Sequence, residues 1–210
     1  MKEVEAVWRL QRLRLADSRP FLLHVGGNEW YKNREGLLRI FNVLRALPGC
    51  EAYRLVTVGE PWTVPMREYV SQVGLQDRVA ELTDVSNDDL RALYSTAVAL
   101  IFPSLCEGFG WPIIEAQACG CPVFATGRPP MREVGGSAAA YFDPLDELSA
   151  ARTIAEGLKD KERLAKRGPE NAARFSTDAM VRGYLEAYRT VLAGMTSAPA
   201  SVTWPSEKAG

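Results

Sequence analysis

The chain has little of what several functional classes require. Its 210 residues include one histidine and four cysteines, with no Cys-x-x-Cys pair, so no zinc site of the usual ligand spacing is predicted. No apolar run approaches the roughly 18 residues of a membrane-spanning helix, and the charged first five residues predict no signal peptide. The 25 basic and 26 acidic residues nearly cancel to a net charge of −1, which gives a nucleic-acid partner no electrostatic support.

The cysteines are Cys50, Cys106, Cys119 and Cys121. Their spacing predicts neither a metal site nor a disulfide framework. We interpret all four as reduced, mostly buried thiols of a cytoplasmic protein, and we expect neither a metal nor a cofactor.

Strand and helix patterns alternate about six times along the chain. The predicted strands are 21–25, 53–58, 78–82, 98–102, 122–125 and 139–142. Helical patterns between them cover 33–47, 64–73, 86–96 and 112–119. Because the strands read as continuous apolar runs, they indicate a parallel sheet covered on both faces. The predicted fold class is therefore α/β, a Rossmann-like doubly wound parallel sheet of about six strands.

The ends of the chain have different patterns. Residues 3–16 predict a lead-in helix, and three extra C-terminal helices are expected at about 146–158, 160–173 and 177–193. We expect a lead-in or interdomain segment at 1–20, one ligand-binding domain at 21–194, and a disordered tail at 195–210 that is rich in Ser, Pro and Ala.

Ligands of doubly wound sheets bind beyond the carboxyl ends of the strands. Four loops are predicted there, at 26–32, 59–62, 83–86 and 103–112. In the first, Gly26 and Gly27 would let the backbone approach a phosphate and Lys32 would add a positive charge. The same residues also fit a plain tight turn with a solvated lysine. The loop matches neither the NAD nor the Walker motif.

The fourth loop and the helix after it contain more candidate ligand-binding groups than the first loop. Gly108 and Gly110 flank Phe109 just before a helix start, where backbone amides and the helix dipole favour an anion. Glu107 and Glu115, the latter expected in the first helical turn, each suit a vicinal diol because a carboxylate accepts two hydroxyl hydrogen bonds. The alternative is that Glu115 only complements the helix dipole and Glu107 is a surface acid.

Taken together, these residues resemble a known family. The stretch from Phe102 to Val123, with Pro-Ser, Glu-Gly-Phe-Gly-Trp-Pro and Glu-Ala-Gln-Ala-Cys-Gly-Cys-Pro-Val, resembles the signature of the group 1 (family 4) retaining glycosyltransferases of the GT-B fold. Further matches are 24–26 with 32–33, 56–59, 90–97 and 132–135, so that the resemblance covers about 20–190. It implies the C-terminal, donor-binding half of a GT-B fold.

The resemblance implies roles for the matching positions. Glu115 would bind the ribose hydroxyls of a UDP-, GDP- or ADP-sugar, and Glu107 would lie near the donor sugar. Lys32 would neutralise the leaving diphosphate, so Glu107 and Lys32 are the catalytic candidates. The remaining donor-binding candidates are Gly26, Gly27, Val85, Gly108, Phe109 and Gly110. It also implies a metal-independent hexosyl transfer with retention.

Two departures from the family pattern stand out. The family usually has Arg where this chain has Gly27, and Arg34 and Arg128 are the possible substitutes. A GT-B enzyme also has an N-terminal half that binds the acceptor, here expected to be a glycan or a lipid-linked saccharide, and no such half is recognisable in this sequence. We therefore expect a fragment, or a truncated or split gene, that is inactive alone and approaches a membrane only through the other half. The alternatives are a nucleotide- or protein-binding module without turnover and, with less support, a GT-B epimerase.

Several aromatic and charged residues allow two interpretations. We expect His24 to be a buried structural histidine rather than a general base. Trp30 and Tyr31 either stack on a sugar or cover their loop, and Trp62 is similarly ambiguous. The pair Arg132–Glu133 either borders the site or is solvated.

Overall fold

The computed structural model describes residues 3–15 and 19–196. The strands are β1 (Phe21–Val25), β2 (Arg54–Val58), β3 (Val79–Leu82), β4 (Ala99–Phe102), β5 (Val123–Thr126) and β6 (Ala139–Phe142). The helices are α1 (Glu3–Arg12), α2 (Arg34–Leu44), α3 (Val64–Gln72), α4 (Asn87–Thr96), α5 (Trp111–Ala118), α6 (Met131–Gly135), α7 (Glu147–Leu158), α8 (Lys161–Ala173) and α9 (Thr177–Thr196).

The six strands form one parallel sheet in the order β3-β2-β1-β4-β5-β6. This confirms the predicted doubly wound α/β fold. The chain leaves β1 toward β2 on one side and returns to β4 on the other, so the order reverses between β1 and β4. The loops that follow these two strands therefore flank the switch point, where such sheets bind ligands.

Apolar strand residues explain why the sheet lies in the middle of the fold. All residues of β2, β4 and β5 are buried, as expected for strands covered by helices on both faces. The core also takes in the apolar sides of α2 and α7, which pack against each other. The sheet is thus a rigid base for the loops at its carboxyl edge.

Side-chain caps determine where several helices begin. The predicted cap Ser86 is confirmed: its Oγ accepts a hydrogen bond from the Asp89 amide at 3.2 Å. Asp146 caps α7 in the same way, accepting from the Ser149 amide at 2.9 Å. Each cap satisfies an amide that the first helical turn leaves without a backbone partner.

Three local elements were not predicted. They are the 3-10 turns Trp30–Lys32 and Gly136–Ala138 and the helix α6 at Met131–Gly135. All three are shorter than two helical turns, so none produces a periodic apolar pattern in the sequence. The turn at 30–32 matters for function because it positions the side chain of Lys32.

The described part of the chain divides into two compact units, and the division falls between Ala173 and Arg174. The second unit contains α9, in which the rings of Tyr184 and Tyr188 lie 6.4 Å apart. Helix α9 continues to Thr196 and so includes the first two residues of the range 195–210, for which a disordered tail stays a prediction. Residues 197–210 lie outside the described residues. The predicted domain range 21–194 spans parts of both units and stays a prediction.

Among the described residues, no helix combines the length and the apolar character that crossing a bilayer takes.

Candidate functional site

The two predicted catalytic residues meet across the switch point of the sheet. Lys32 Nζ donates a hydrogen bond to Glu107 Oε1 at 2.8 Å. Lys32 comes from the loop after β1 and Glu107 from the loop after β4, so the fold joins residues that are 75 positions apart. The side chains are only 15% and 9% exposed, which shields the ion pair from solvent and strengthens it relative to a surface pair.

Two hydrogen bonds to backbone carbonyls hold the loops after β1 and β4 together. The Leu105 amide donates to the Tyr31 carbonyl at 2.7 Å, and Asn33 Nδ2 donates to the Pro103 carbonyl at 3.3 Å. Asn33 itself is in the left-handed conformation, with φ of 54°, which an asparagine tolerates better than most residues. These contacts place Lys32 on a fixed support rather than on a free loop.

The Lys32 ammonium group also lies close to two aromatic rings. It is 5.5 Å from the centre of the Tyr31 ring and 5.7 Å from that of Phe102. Both distances permit a cation–π attraction. The rings thus help to hold the Lys32 ammonium group in place.

Glycine is required where the loops after β1 and β2 approach each other. Gly59 has a φ of 146°, and a Cβ atom there would lie 2.0 Å from the Gly26 carbonyl oxygen. Only a residue without a side chain fits this approach. At Gly27, a Cβ would point at the Glu29 carboxylate, 2.6 Å away. An acidic side chain therefore lies next to the position where the family pattern has an arginine.

Arg34 lies beside this first loop and is 3% exposed. Its Nη1 donates to Asn28 Oδ1 and to the Glu60 carbonyl. Burial lowers the pKa of Arg34, while the nearby Glu81, Glu60 and Glu29 carboxylates oppose that shift. Its Nε and Nη2 have no hydrogen-bond partner among the described residues. Of the two possible substitutes for the family's arginine, Arg34 is the one that contacts the loop containing Gly27. Arg128 lies in the turn after β5.

The glycine-rich loop leads directly into α5. Gly110 precedes the helix with a φ of 98°, a conformation that favours glycine. Gly108 has open space around its Cβ position, and the rings of Phe109 and Trp111 lie 4.9 Å apart. Gly110 provides no side-chain cap for α5. Pro112 has no amide hydrogen and the Ile113 amide donates to the Gly110 carbonyl at 3.0 Å, so it is mainly the positive end of the helix dipole that would attract an anion here.

Glu115 has a partner that the sequence analysis missed. The hydroxyl of Tyr94 in α4 donates to Glu115 Oε2 at 2.9 Å. Tyr94 is 2% exposed, and burial, followed by the neighbouring Glu115 carboxylate, raises its pKa above the ordinary value. The hydroxyl therefore stays protonated and keeps donating. A signal was available, because a tyrosine on the buried side of an amphipathic helix usually finds a hydrogen-bond partner.

Glu115 also borders a cavity of about 360 Å³ between α4 and α5, whose lining includes Asn87, Leu90 and Arg91. Neither Lys32 nor Glu107 lines it. Glu115 is the fifth residue of α5, and the first turn contains no acidic residue, so the predicted placement in the first turn is wrong. The reason is that α5 begins at Trp111, one residue before the proline that was expected to start it. Val85 is half-buried in the loop before α4 and does not line this cavity.

His24 is structural, as predicted. It is fully buried, and its Nδ1 lies 3.1 Å from the Ile101 carbonyl. Burial is the main cause that lowers its pKa to about 3, with smaller contributions from Arg34 and Lys32. The ring is therefore neutral near pH 7, with Nδ1–H as the donor to the carbonyl oxygen.

The tryptophans divide between core and surface. Trp62 is buried, and its Nε1 donates to Thr57 Oγ1 at 2.9 Å, so it packs in the core. Trp30 is 76% exposed and does not cover its loop. It is instead accessible at the rim of the site.

Within 3–15 and 19–196, no group of three or more His, Cys, Asp or Glu residues is placed to hold a metal ion.

The fold and the loops at its switch point define a class: one Rossmann-like half of a GT-B glycosyltransferase. The family described as "Glycosyl transferases group 1" matches residues 10–175. The chain therefore belongs to this family, as its sequence motifs predict.

Curated relatives and solved structures agree with this assignment. The chain is 31% identical over 185 residues to an O-antigen chain mannosyltransferase B of Escherichia coli, covering 86% of this chain and 48% of the relative. It is 36% identical over 137 residues to a D-inositol 3-phosphate glycosyltransferase of Salinispora arenicola, covering 60% and 29%. The structure of a sucrose-phosphate synthase from Thermosynechococcus elongatus aligns with a TM-score of 0.72 at 27% identity, covering 89% and 49%. The chain thus spans about half the length, or less, of these proteins.

Proposed function

We propose that this chain binds the nucleotide-sugar donor of a retaining, metal-independent hexosyltransferase. The observation that carries the proposal is the Lys32–Glu107 contact at 2.8 Å. It brings a cation and a carboxylate together at the switch point, where a doubly wound sheet binds ligands. The mannosyltransferase among its relatives supports a hexose as the transferred group.

The site offers the parts that departure of a diphosphate requires. Lys32 and the positive end of the α5 dipole would stabilise the negative charge that develops on the leaving diphosphate, a task that a metal ion performs in other transferases. Gly26, Gly27, Gly108 and Gly110 would let the backbone approach the phosphates and the sugar.

Two carboxylates would hold the remaining parts of the donor. Glu115, oriented by Tyr94, would accept hydrogen bonds from the ribose hydroxyls. Glu107 would face the donor sugar once the diphosphate competes for Lys32. Phe109 and Val85 would border the sugar and the base. The base is that of a UDP-, GDP- or ADP-sugar.

Sugar transfer would require a second Rossmann-like half, for which the greater length of the relatives leaves room. That half would bind the acceptor, a glycan or a lipid-linked saccharide, and would provide any peripheral contact with a membrane. We further propose that the 210 residues alone bind the donor without turnover, and that the protein acts in the cytoplasm.

A ligand panel tests the proposal. The 210-residue chain is heated with UDP-, GDP- and ADP-hexoses, in buffer containing EDTA, and unfolding is followed by fluorescence. We expect at least one donor to raise the unfolding temperature, with no dependence on added Mg²⁺. The absence of any shift at millimolar ligand would contradict the proposal. Retention is checked by joining an acceptor-binding half from a relative to the chain and recording NMR of the anomeric proton of any product.

One observation favours a second candidate, a nucleotide- or protein-binding module without turnover. The carboxylate of Glu29 lies beside the Cβ direction of Gly27, where the family pattern has an arginine that would help to bind diphosphate. This candidate predicts that joining an acceptor-binding half from a relative to the chain restores no transfer. Sugar transfer by such a chimera would exclude it.

A further inference from the structure

A second cavity lies at the same edge of the sheet but away from the Lys32–Glu107 pair. It has a volume of about 430 Å³ and is built from the turn after β5, the turn after β6 and the beginning of α7. None of the donor-binding candidates lines it. The donor site proposed above therefore does not account for the charged and hydroxyl side chains that line this cavity.

Two guanidinium groups give this cavity its charge. Arg128 and Arg132 both line it, and neither forms an ion pair with a carboxylate in the described part of the chain. The guanidinium of Arg132 lies 5.3 Å from the centre of the Tyr141 ring. The Tyr141 hydroxyl is tied to the Gly136 carbonyl at 2.7 Å, so the ring is a fixed support for the charge.

The acid in the lining does not neutralise these cations. Asp143 lines the cavity, and its Oδ1 accepts a hydrogen bond from the Leu145 amide at 3.0 Å. Asp143 thus accepts a hydrogen bond from a backbone amide of its own turn. Two positive charges and one negative charge leave an excess of positive charge in the cavity.

A buried hydroxyl points to a ligand. Thr126, the last residue of β5, is fully buried and lines the cavity, yet its Oγ1 has no hydrogen-bond partner among the residues described. A buried polar atom without a partner is unfavourable, so a donor or acceptor that entered this cavity and reached the Thr126 hydroxyl would gain a hydrogen bond. Ser149 and Thr153, on the first two turns of α7, add two more hydroxyls to the lining.

We propose that this cavity is a binding site for a phosphomonoester. A phosphomonoester carries up to two negative charges near neutral pH and several acceptor oxygens. Two guanidinium groups supply planar N–H donors to such oxygens, and the Thr126 hydroxyl supplies a further donor. A carboxylate carries one charge and leaves one arginine without a partner. The site does not depend on the role proposed for Lys32 and Glu107.

Titrations of the full 210-residue chain test this site. Inorganic phosphate, glycerol 3-phosphate and acetate are added at constant ionic strength, and binding is followed by ³¹P NMR line broadening and by thermal shift. We expect both phosphates to bind and acetate to bind at least tenfold more weakly. Tighter binding of glycerol 3-phosphate would identify an organic phosphomonoester as the ligand, and equal binding would identify free phosphate.

Matched variants locate the binding. The double variant Arg128→Gln/Arg132→Gln should weaken phosphate binding at least tenfold. Lys166→Gln/Arg167→Gln, which likewise removes two positive charges, here from exposed positions of α8, should leave it unchanged. Thr126→Val should weaken it about fivefold. If that buried substitution disturbs folding, the double arginine variant still decides, because Arg128 and Arg132 are both exposed.

Two results would overturn the proposal. One is unchanged phosphate affinity in the double arginine variant. The other is loss of phosphate binding in Lys32→Ala, which would place the anion at the donor loops instead. That second result would leave the donor proposal standing, so the two proposals fail independently.

Discussion

Lys32 and Glu107 neutralise each other in the structure, with Nζ and Oε1 2.8 Å apart. A diphosphate that enters the site must therefore compete with the Glu107 carboxylate for Lys32. The ion pair is both the device that holds Lys32 in place and an obstacle to the anion that Lys32 is proposed to bind.

Removing the negative charge of Glu107 and removing the positive charge of Lys32 should change the affinity for a nucleoside diphosphate in opposite directions. Glu107→Gln should tighten the binding of a free nucleoside diphosphate about threefold to tenfold, because Lys32 is released and a repulsive charge is removed. Lys32→Ala should weaken it about tenfold and reduce its salt dependence. Calorimetric titration at two salt concentrations measures both. The controls are Glu170→Gln and Lys166→Ala on the exposed side of α8. Weaker binding in Glu107→Gln would show that the carboxylate itself contacts the nucleotide.

Tyr94→Phe tests whether Tyr94 positions Glu115. Loss of the 2.9 Å hydrogen bond should weaken nucleoside diphosphate binding about threefold, since the carboxylate is no longer held in one orientation. The effect should vanish with a 2′,3′-dideoxynucleoside diphosphate, which has no ribose hydroxyl to bind. The exposed Tyr184→Phe in α9 is the matched control. An equal loss for both nucleotides would indicate a structural role only.

The buried His24 should make the stability of the first unit depend on pH. Its pKa is lowered from 6.5 to about 3, so between these values the unfolded chain binds a proton that the folded chain does not. The contribution of the neutral His24 to the free energy of unfolding is fully present above about pH 6.5 and is lost as the pH is lowered toward 3. At pH 5 this contribution has fallen by about 2 kcal/mol. Urea unfolding at pH 7 and pH 5 measures this change.

The variant His24→Asn isolates this contribution, because an asparagine amide keeps a donor for the Ile101 carbonyl without a titrating ring. The difference in stability between pH 7 and pH 5 should be smaller in the variant. Equal pH dependence in both proteins would mean that carboxylates account for all of it.

Gly59→Ala should destabilise the fold by about 2 kcal/mol or more, because a methyl group at a φ of 146° would meet the Gly26 carbonyl oxygen. Chemical unfolding measures the loss. Gly183→Ala, in a helix and with open space around it, is the matched control and should be neutral or slightly stabilising. If Gly59→Ala were as stable as the control, the loops after β1 and β2 would have to be free to separate.

Most strands and helices could be predicted from the sequence because they depend on local residue patterns. The apolar runs at 21–25 and 139–142 match β1 and β6 at both ends, and Ser86 caps α4 as its spacing indicates. The expectation of mostly buried thiols is correct for Cys50 and Cys121, but Cys106 is exposed.

The contacts within the site were less predictable. The glycines and Lys32 indicate which loops form it, but the ion pair with Glu107 depends on how two loops pack across the sheet. The Tyr94–Glu115 hydrogen bond likewise joins two helices whose separation no local pattern encodes. The position of Trp62 after Gly-Glu-Pro predicts a loop residue, and the sequence does not indicate that its ring is buried and hydrogen-bonded to Thr57.

The most direct test of the central claim is calorimetric titration of the chain and of Glu115→Ala with UDP, GDP and ADP. We predict that at least one nucleoside diphosphate binds the unchanged chain with one-to-one stoichiometry. We predict that Glu115→Ala weakens that binding by about 1–3 kcal/mol, since the ribose loses its carboxylate partner. Equal affinity in the two proteins, or no binding of any nucleoside diphosphate at millimolar concentration, would contradict the proposed donor site.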